Sequence, residues 1–285
     1  MMLLDLFSPK RWSRVHSRWL PFADLVSPDL PLLRLLRLSL FQVSVGVCMA
    51  LMVGTLNRVL IVEMGVAAWL VASMVALPVL VAPLRALIGY RSDTHRSFLG
   101  LRRLPYLWTG SLLTFGGLAI MPFALLLLSG DTHWPKAIGP ASAALAFLLV
   151  GLGIQTVQTT GLALATDLVD KPSRPRMVAL MYAMLLVGMV GSGLIFSLLL
   201  QNFSPLRLIQ VVQGAASLVL AMNLLAMWKQ EPRRPDLTQS TNDSNFRLAW
   251  GEFVAIPGHR RFLVAVFMGT AAFSMQDIIL EPYGA

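Results

Sequence analysis

The sequence predicts an all-α integral membrane protein built as a bundle of long apolar helices. Hydrophobic residues make up 56% of the 285 residues, and charged residues make up only 13%. Soluble domains usually carry about 25% charged residues. The few charges lie between uncharged runs that are long enough to cross a bilayer as helices. Because these runs do not alternate apolar and polar residues, as barrel strands would, we expect helices.

Seven apolar runs have the length that a membrane-spanning helix requires. They are approximately Leu38–Leu60, Ala67–Ile88, Leu107–Leu128, Ala141–Thr166, Met177–Leu199, Leu208–Trp228 and Phe262–Leu280. We therefore expect four regions: a cytoplasmic or interfacial N-terminal segment at 1–37, a six-helix transmembrane bundle at 38–228, a cytoplasmic linker at 229–261 and the first helix of a second bundle at 262–285. The linker is assigned from its polar, proline-containing composition.

The basic residues indicate how the bundle is oriented. Nearly all of them precede the first run or lie after the second, fourth and sixth runs, whereas the alternate loops contain only Lys136 and Arg207. Positively charged loops stay on the cytoplasmic side, which places the N-terminus in the cytoplasm. The net charge of +9 does not indicate a nucleic-acid binder, because the basic residues lie in short loops and not on one face of a folded domain.

The first and seventh runs end in a similar pattern of polar residues. In segments 57–65 and 276–284 an amide residue and a glycine are eight positions apart, with a glutamate between them. This is the relation expected of the first helices of two six-helix halves, so about twelve helices are expected in all, with the second half truncated here. The polar residues of the two segments are Asn57, Arg58, Glu63, Gln276, Asp277 and Glu281.

A compact polar segment, GYRSDTHRSFLGLRRLPY at 89–106, separates the second and third runs. A glycine, an aspartate four residues later and clustered arginines resemble the loop signature of the major facilitator superfamily, although Thr94 stands where that signature usually has arginine. Gly89 would permit close backbone approach, and Asp93 would accept hydrogen bonds from arginines or helix N-termini. We expect this segment to latch the helices on the cytoplasmic side. The residues concerned are Arg85, Gly89, Asp93, Arg96, Arg102 and Arg103.

Arg85 lies one turn inside the second run. It is expected to pair with Asp93 or Asp167, because the second and fourth runs both end on the cytoplasmic side. The alternative is that its side chain extends to the lipid headgroups.

A narrower resemblance is carried by several long strings, namely LPLLRLLRLSLFQVSVG, GTLNRVLIVEMGV, APLRALIGYRSDTHRSFLGLRRLPYLW, FGGLAIMPFALLLLSGD and MQDIILEPYG. From about Pro21 to the last residue the chain resembles the PucC/LhaA family, major-facilitator-like proteins of purple phototrophic bacteria. Within the family it is more similar to the light-harvesting 1 branch (LhaA) than to the light-harvesting 2 branch.

The resemblance implies a role in assembling light-harvesting complexes and in delivering bacteriochlorophyll. The implied partners are light-harvesting 1 antenna polypeptides, the reaction centre and membrane lipid. The implied location is the intracytoplasmic photosynthetic membrane, part of the bacterial inner membrane.

Polar residues inside the predicted spans are candidate binding groups, because polar groups in lipid are costly and usually functional. Gln155 and Gln158, together with Thr156, Thr159 and Thr160, form a polar belt in the fourth run. They could bind the carbonyl groups of a pigment or form hydrogen bonds between helices. The polar groups of the first and seventh runs are candidates for binding a pigment or for forming a gate.

All four histidines, His16, His95, His133 and His259, lie outside the predicted spans. A bound pigment would therefore be held weakly or through amide or water ligands, which suits transient delivery of bacteriochlorophyll.

The sequence contains no His-Glu-x-x-His, phosphate-binding loop or Gly-x-Ser-x-Gly motif, so an enzyme is not expected. An assembly factor is favoured. A secondary transporter and a structural subunit of the photosynthetic complex are the alternatives.

The orientation can be tested by labelling single cysteines introduced at Arg96 and Lys136 after Cys48, the only cysteine, is replaced by alanine. We expect a membrane-impermeant maleimide to reach the two positions from opposite sides of the bilayer, because they lie in loops on either side of the third run. Labelling from the same side would contradict the predicted arrangement of spans.

Arg58 and Asp277 are hypothesised to pair between the two halves and to hold a gate closed. The alternative is that each reaches interfacial water separately. We expect Arg58→Asp and Asp277→Arg each to impair function in the host, and the double variant to recover much of it. If the double variant functions no better than the single variants, the pairing hypothesis fails.

Overall fold

In a computed structural model all the regular secondary structure of the residues that the structure describes is helical. These are residues 32–95, 100–128, 135, 137–231 and 245–283, with side chains described from 33 to 272 within those ranges. The elements are α1 (Leu32–Met49), two π-helical segments (Ala50–Leu56 and Val59–Glu63), α2 (Ala68–Leu80), α3 (Leu84–Thr94), α4 (Leu104–Leu128), α5 (Ile138–Asp167), a 3₁₀ turn (Lys171–Ser173), α6 (Arg174–Leu199), α7 (Pro205–Met227), α8 (Phe246–Ala255) and α9 (His259–Tyr283).

Six helical stretches of the described residues are long and apolar enough to cross a membrane. They are span 1 (Leu33–Glu63), span 2 (Ala68–Thr94), span 3 (Leu104–Leu128), span 4 (Ile138–Asp167), span 5 (Lys171–Leu199) and span 6 (Pro205–Met227). They coincide with the first six predicted runs and confirm the all-α membrane bundle. The seventh predicted run falls within α9. Its side chains beyond residue 272 lie outside the described residues.

Span 1 begins several residues before the predicted run because two arginines find acceptors at the end of span 6. Arg34 donates to the Gln230 backbone carbonyl at 2.9 Å, and Arg37 donates to the Trp228 backbone carbonyl at 2.7 Å. Carbonyls at a helix C-terminus lack partners within their own helix and attract basic side chains. Helix α1 therefore includes Arg34 and Arg37, although their charges predict a position before the first span.

Small residues let the helices of the bundle approach closely. At the crossing of α1 and α6, a Cβ atom added to Gly188 would lie 2.5 Å from the Val43 carbonyl oxygen, too close for any side chain. At the crossing of α4 and α5, a Cβ atom added to Gly117 would lie 2.8 Å from the Val150 nitrogen. Close packing through small residues is the main source of helix association in lipid, where the hydrophobic effect between helices is absent.

Span 2 is broken at residues 81–83, here called the span 2 break, which separates α2 from α3. Pro78 lies inside α2, and Pro83 immediately precedes α3. The amide of Ala82 donates to Val79 at 3.0 Å and not to the carbonyl of Pro78 four residues back. The carbonyl of Pro78 instead accepts from Gln155 Nε2 of α5 at 3.2 Å. Irregular backbone is tolerated in a membrane only where such a neighbouring group satisfies it.

The region predicted as a linker, 229–261, contains the ten-residue helix α8. The Asn245 side chain caps the helix by accepting from the Arg247 backbone amide at 3.1 Å. The Phe246 ring contacts Tyr90 of α3 with centroids 5.3 Å apart, and Trp250 continues the aromatic row at 6.0 Å from Phe246. Residues 232–244, which suggested a flexible linker, lie outside the described residues.

Arg103 joins three helices at one end of the bundle. Its side chain is 7% exposed and contacts Asp93 of α3 at 2.5 Å and Asp167 of α5 at 2.9 Å. It also donates to Ser92 Oγ at 3.1 Å. The adjacent Arg102 side chain is 32% exposed, and among the described carboxylates it reaches only Asp167, at 3.3 Å. A guanidinium can serve several acceptors in this way because its five N–H donors are arranged in a rigid plane.

Glu231 attaches the segment after span 6 to the same end of the bundle. Its carboxylate accepts from the backbone amides of Arg102 at 2.8 Å, Arg103 at 3.0 Å and Leu104 at 2.9 Å. These amides lie at the N-terminal end of α4, where amides lack partners within the helix, and the carboxylate also interacts favourably with the positive end of the helix dipole. Glu231 is not recognisable as a cap from the sequence, because the helix that it caps lies 127 residues away in the chain and no local pattern connects the two.

Replacing Arg103 by glutamine should lower stability more than replacing Arg102 in the same way. The first change leaves two carboxylates without their shared guanidinium, whereas the second removes one long contact. Breaking a fully buried ion pair costs about 3–5 kcal/mol. Because both carboxylates are partly exposed, we expect about 2 kcal/mol for Arg103→Gln and under about 1 kcal/mol for Arg102→Gln. Thermal unfolding of the purified variants in detergent would measure this, and equal losses would contradict the central role of Arg103.

Candidate membrane-embedded binding site

Two glutamines of α5 lie on either side of the span 2 break. Gln155 donates to the carbonyl of Pro78 in α2 at 3.2 Å, and Gln158 accepts through Oε1 from Nη2 of Arg85 in α3. The two glutamines are three positions apart and therefore lie on the same face of α5, with a rise of about 4.5 Å between them. The break occupies the middle of Ala68–Thr94. The group accordingly lies near the middle of spans 2 and 4.

This group contains polar atoms that no described residue satisfies. Arg85 Nε and Gln155 Oε1 are both buried without a hydrogen-bond partner. Leaving a buried donor or acceptor unpaired costs about 1–3 kcal/mol, and charged or polar groups inside a membrane usually mark functional sites. We therefore treat Arg85, Gln155 and Gln158 as the candidate binding group.

The expected pairing of Arg85 with an aspartate was wrong. Asp93 and Asp167 both contact Arg103 instead, and the described contact of Arg85 is with the neutral amide of Gln158. Arg85 lies eight positions before Asp93 on span 2. Arg103 lies closer to the loop and binds both carboxylates, whereas Arg85 lies further inside the bundle.

The polar belt on α5 separates into two kinds of residue. The hydroxyls of Thr156, Thr159 and Thr160 each donate to a backbone carbonyl four residues earlier, all at 2.7 Å. Such bonds satisfy the hydroxyl within its own helix. In contrast, Gln155 and Gln158 reach across to span 2. Of this belt, only the two glutamines contribute to the candidate binding group.

Gly89 does not show the close backbone approach that was expected of it. A Cβ atom added there would lie 3.7 Å from Thr159 Cγ2, an ordinary van der Waals distance, so alanine would fit. Of the other residues predicted to latch this end, Asp93, Arg102 and Arg103 belong to the network around Arg103. Arg96 lies outside the described residues.

A cleft of about 890 Å³ lies between the π-helical part of span 1 and α6. Arg58 and Glu63 line it, together with Gln201, and apolar side chains such as Met189 and Phe196 form much of its wall. Both charged side chains are exposed. Asn57 is 1% exposed, and its Nδ2 has no partner among the described residues. The predicted group at the end of the first run is therefore divided between a cleft and the bundle core.

The matching residues Gln276, Asp277 and Glu281 lie in α9, but their side chains are outside the described residues. The backbone of α9 contacts α2 and the π-helical segment Ala50–Leu56. This segment ends two residues before Arg58. The pairing of Arg58 with Asp277 stays a prediction.

No group of three or more His, Cys, Asp and Glu side chains in the described part of the chain is arranged to hold a metal ion. The described histidines lie at helix ends, His95 after α3 and His259 at the start of α9. A metal-containing ligand in the centre of the bundle would therefore depend on oxygen or amide donors, and those available beside the span 2 break are the two glutamines.

Comparison with known proteins shows the family. The family model described as "PUCC protein" matches residues 55–285. Protein PucC of Rhodovulum sulfidophilum is 52% identical over 291 residues, which cover 100% of this chain and 64% of the relative. An uncharacterized protein in the puhA–bchM intergenic region of Rhodobacter capsulatus is 54% identical over 270 residues, which cover 93% of this chain and 56% of the relative.

A more distant relative is the bacteriochlorophyll synthase 44.5 kDa chain of Rhodobacter capsulatus, 27% identical over 257 residues, which cover 88% of this chain and 56% of the relative. No solved structure matches the chain. The chain spans between 56% and 64% of the length of these three relatives. With a family model that matches most of its length and relatives about half identical to it, the chain belongs to the PUCC protein family.

Proposed function

We propose that the protein is a membrane assembly factor for the light-harvesting 1 antenna of a purple bacterium. In this role it delivers bacteriochlorophyll to newly inserted antenna polypeptides and helps to place them around the reaction centre. Family membership carries the proposal: the match extends over residues 55–285 and joins the chain to proteins named PucC. The six apolar helices fit a multi-pass membrane protein, and the membrane that we propose is the intracytoplasmic photosynthetic membrane, with the N-terminus in the cytoplasm.

Two further observations favour handling of pigment over a purely structural role. One relative is named as a chain of bacteriochlorophyll synthase, which connects the wider group of relatives to this pigment. The candidate binding group also presents unsatisfied polar atoms near the centre of the bundle, where a membrane-soluble ligand would meet them. An imidazole ligand is missing there among the described residues, which favours weak and reversible binding. Such binding suits delivery better than permanent light harvesting.

Secondary transport is the second candidate, and the span 2 break favours it. Discontinuous helices near the bilayer midplane commonly form the substrate site of transporters, and Arg85 beside the break would suit an anionic solute. This argument rests on architecture alone, which supports many functions. Uptake of a solute by liposomes that contain the full-length protein, driven by a proton or ion gradient, would favour transport over assembly.

Depletion of the protein in its host tests the assembly role. We expect the absorption band of the light-harvesting 1 ring to be lost from the membranes while the reaction centre persists, because only the ring depends on this factor. Expression of the wild-type chain in the depleted strain should restore the ring. Absorption spectra and immunoblots of purified membranes measure both components.

A ring of normal abundance after depletion would contradict the proposal. Loss of the light-harvesting 2 complex, with the light-harvesting 1 ring intact, would instead assign the protein a different antenna and refute the light-harvesting 1 role.

A further inference from the structure

The amide of Gln155 is held in one orientation by the span 2 break. Its Nε2 donates to the carbonyl of Pro78 at 3.2 Å, which directs Oε1 away from that carbonyl. Oε1 is buried and has no partner. The free oxygen is therefore a neutral carbonyl acceptor near the centre of the bundle. Carbonyl oxygens are among the ligands that suit magnesium.

Next to it, Arg85 and Gln158 offer hydrogen-bond donors only. A guanidinium has five N–H donors and no acceptor, and Arg85 Nε is without a partner. The Oε1 atom of Gln158 is already occupied by Arg85, so its Nε2 amide group remains to donate. The acceptor, Gln155 Oε1, thus belongs to a residue one helical turn before Gln158 on the same face of α5. Gln158 and the Arg85 side chain that it contacts supply the donors.

Bacteriochlorophyll has the complementary chemistry. Its magnesium has a vacant axial position that takes an electron-pair donor, and the edge of its ring carries keto, acetyl and ester oxygens that accept hydrogen bonds. We propose that Gln155 Oε1 is the axial ligand of the magnesium and that Arg85 and Gln158 donate to carbonyl groups at the ring edge. This inference rests on the proposed function, because it takes bacteriochlorophyll as the ligand.

The span 2 break also provides a way for the pigment to enter. Leu80 and Leu84, which border the break, are 71% and 42% exposed, so the site borders the outer surface of the bundle. The amides of Ala82, Leu84 and Arg85 each bond to a carbonyl three residues earlier, at 3.0 Å. Such 3₁₀-type bonds are weaker than α-helical ones and often mark hinges. Movement at this point exposes Gln155 Oε1 to the pigment, and closure returns it to the core when the pigment leaves.

The test compares two pigments on the full-length protein in lipid nanodiscs. One is bacteriochlorophyll a, and the other is bacteriopheophytin a, the same ring without magnesium. We expect Gln155→Leu to weaken binding of the magnesium pigment by about tenfold or more, since losing even an outer-shell partner of a metal ligand costs 10- to 100-fold. Binding of the metal-free pigment should change little. Gln155→His should bind the magnesium pigment at least as tightly as wild type, because imidazole is also a magnesium ligand in such pigments.

Resonance Raman spectroscopy gives a readout independent of affinity. We expect five-coordinate magnesium in the wild type, with its axial ligand changed in Gln155→His and lost in Gln155→Leu. Gln213→Leu is the matched control, because Gln213 of α7 also donates through Nε2 to a backbone carbonyl, that of Ala119, at 3.2 Å. Arg85→Met should weaken both pigments to a similar degree, since it removes donors to the ring edge and leaves the metal ligand in place.

The results distinguish failure of pigment delivery from failure of magnesium ligation by Gln155. If the wild-type protein binds neither pigment, pigment delivery itself is refuted. If the wild type binds bacteriochlorophyll and Gln155→Leu binds it equally well, ligation by Gln155 is wrong while delivery stands. Equal weakening of both pigments by Gln155→Leu would mean that the residue acts through the Pro78 contact, and this also overturns the ligation. Should Gln155→Leu fail to fold, an unchanged Raman spectrum of the Gln155→His complex would refute the proposal.

Discussion

The structure depends on one constraint, that a chain in lipid must satisfy its backbone polar groups from within the protein. Continuous helices meet this requirement in most of the six spans. Span 2 does not, because Pro78 and Pro83 interrupt its hydrogen bonding. The carbonyl left over at Pro78 is satisfied by Gln155. Gln155 therefore satisfies the broken helix through its Nε2 atom, while its Oε1 atom is buried without a hydrogen-bond partner among the described residues.

The same constraint distributes the charges. Charged side chains are costly in lipid unless they are paired, and Arg103, Asp93, Asp167 and Glu231 form their network at one end of the bundle, at the termini of α3, α4 and α5. There the helix ends supply free backbone amides and the carboxylates remain partly exposed. Arg85 lies apart from this network, and its described contact is the neutral amide of Gln158. Such an arginine within a span is a candidate functional residue.

The proposed pigment site links these features to assembly. A carrier must release its cargo, so its ligands need to be weaker than those of the complex that receives it. A carbonyl oxygen and a few hydrogen-bond donors around a hinge in span 2 meet this requirement better than a preformed imidazole site. The cleft beside span 1, with Arg58 and Glu63 at its wall, lies next to the segment that α9 contacts. This cleft is separate from the proposed pigment site. It bears instead on the hypothesis that Arg58 and Asp277 form a gate between the two halves.

The sequence by itself determined the number, order and class of the first six spans, because hydrophobicity and length are local properties that need no knowledge of neighbours. It also singled out Gln155, Gln158 and Arg85, since any polar group in an apolar run is conspicuous, and Arg103 within the polar segment 89–106. Only the tertiary structure decided their partners. Arg103 pairs with Asp93 and Asp167, the aspartates expected to pair with Arg85. Glu231 caps a helix that begins 127 residues earlier in the chain. Span 1 began earlier than expected because its arginines bond to carbonyls after span 6. Pairing depends on which helix ends and faces meet in space, and composition along a single chain does not record that.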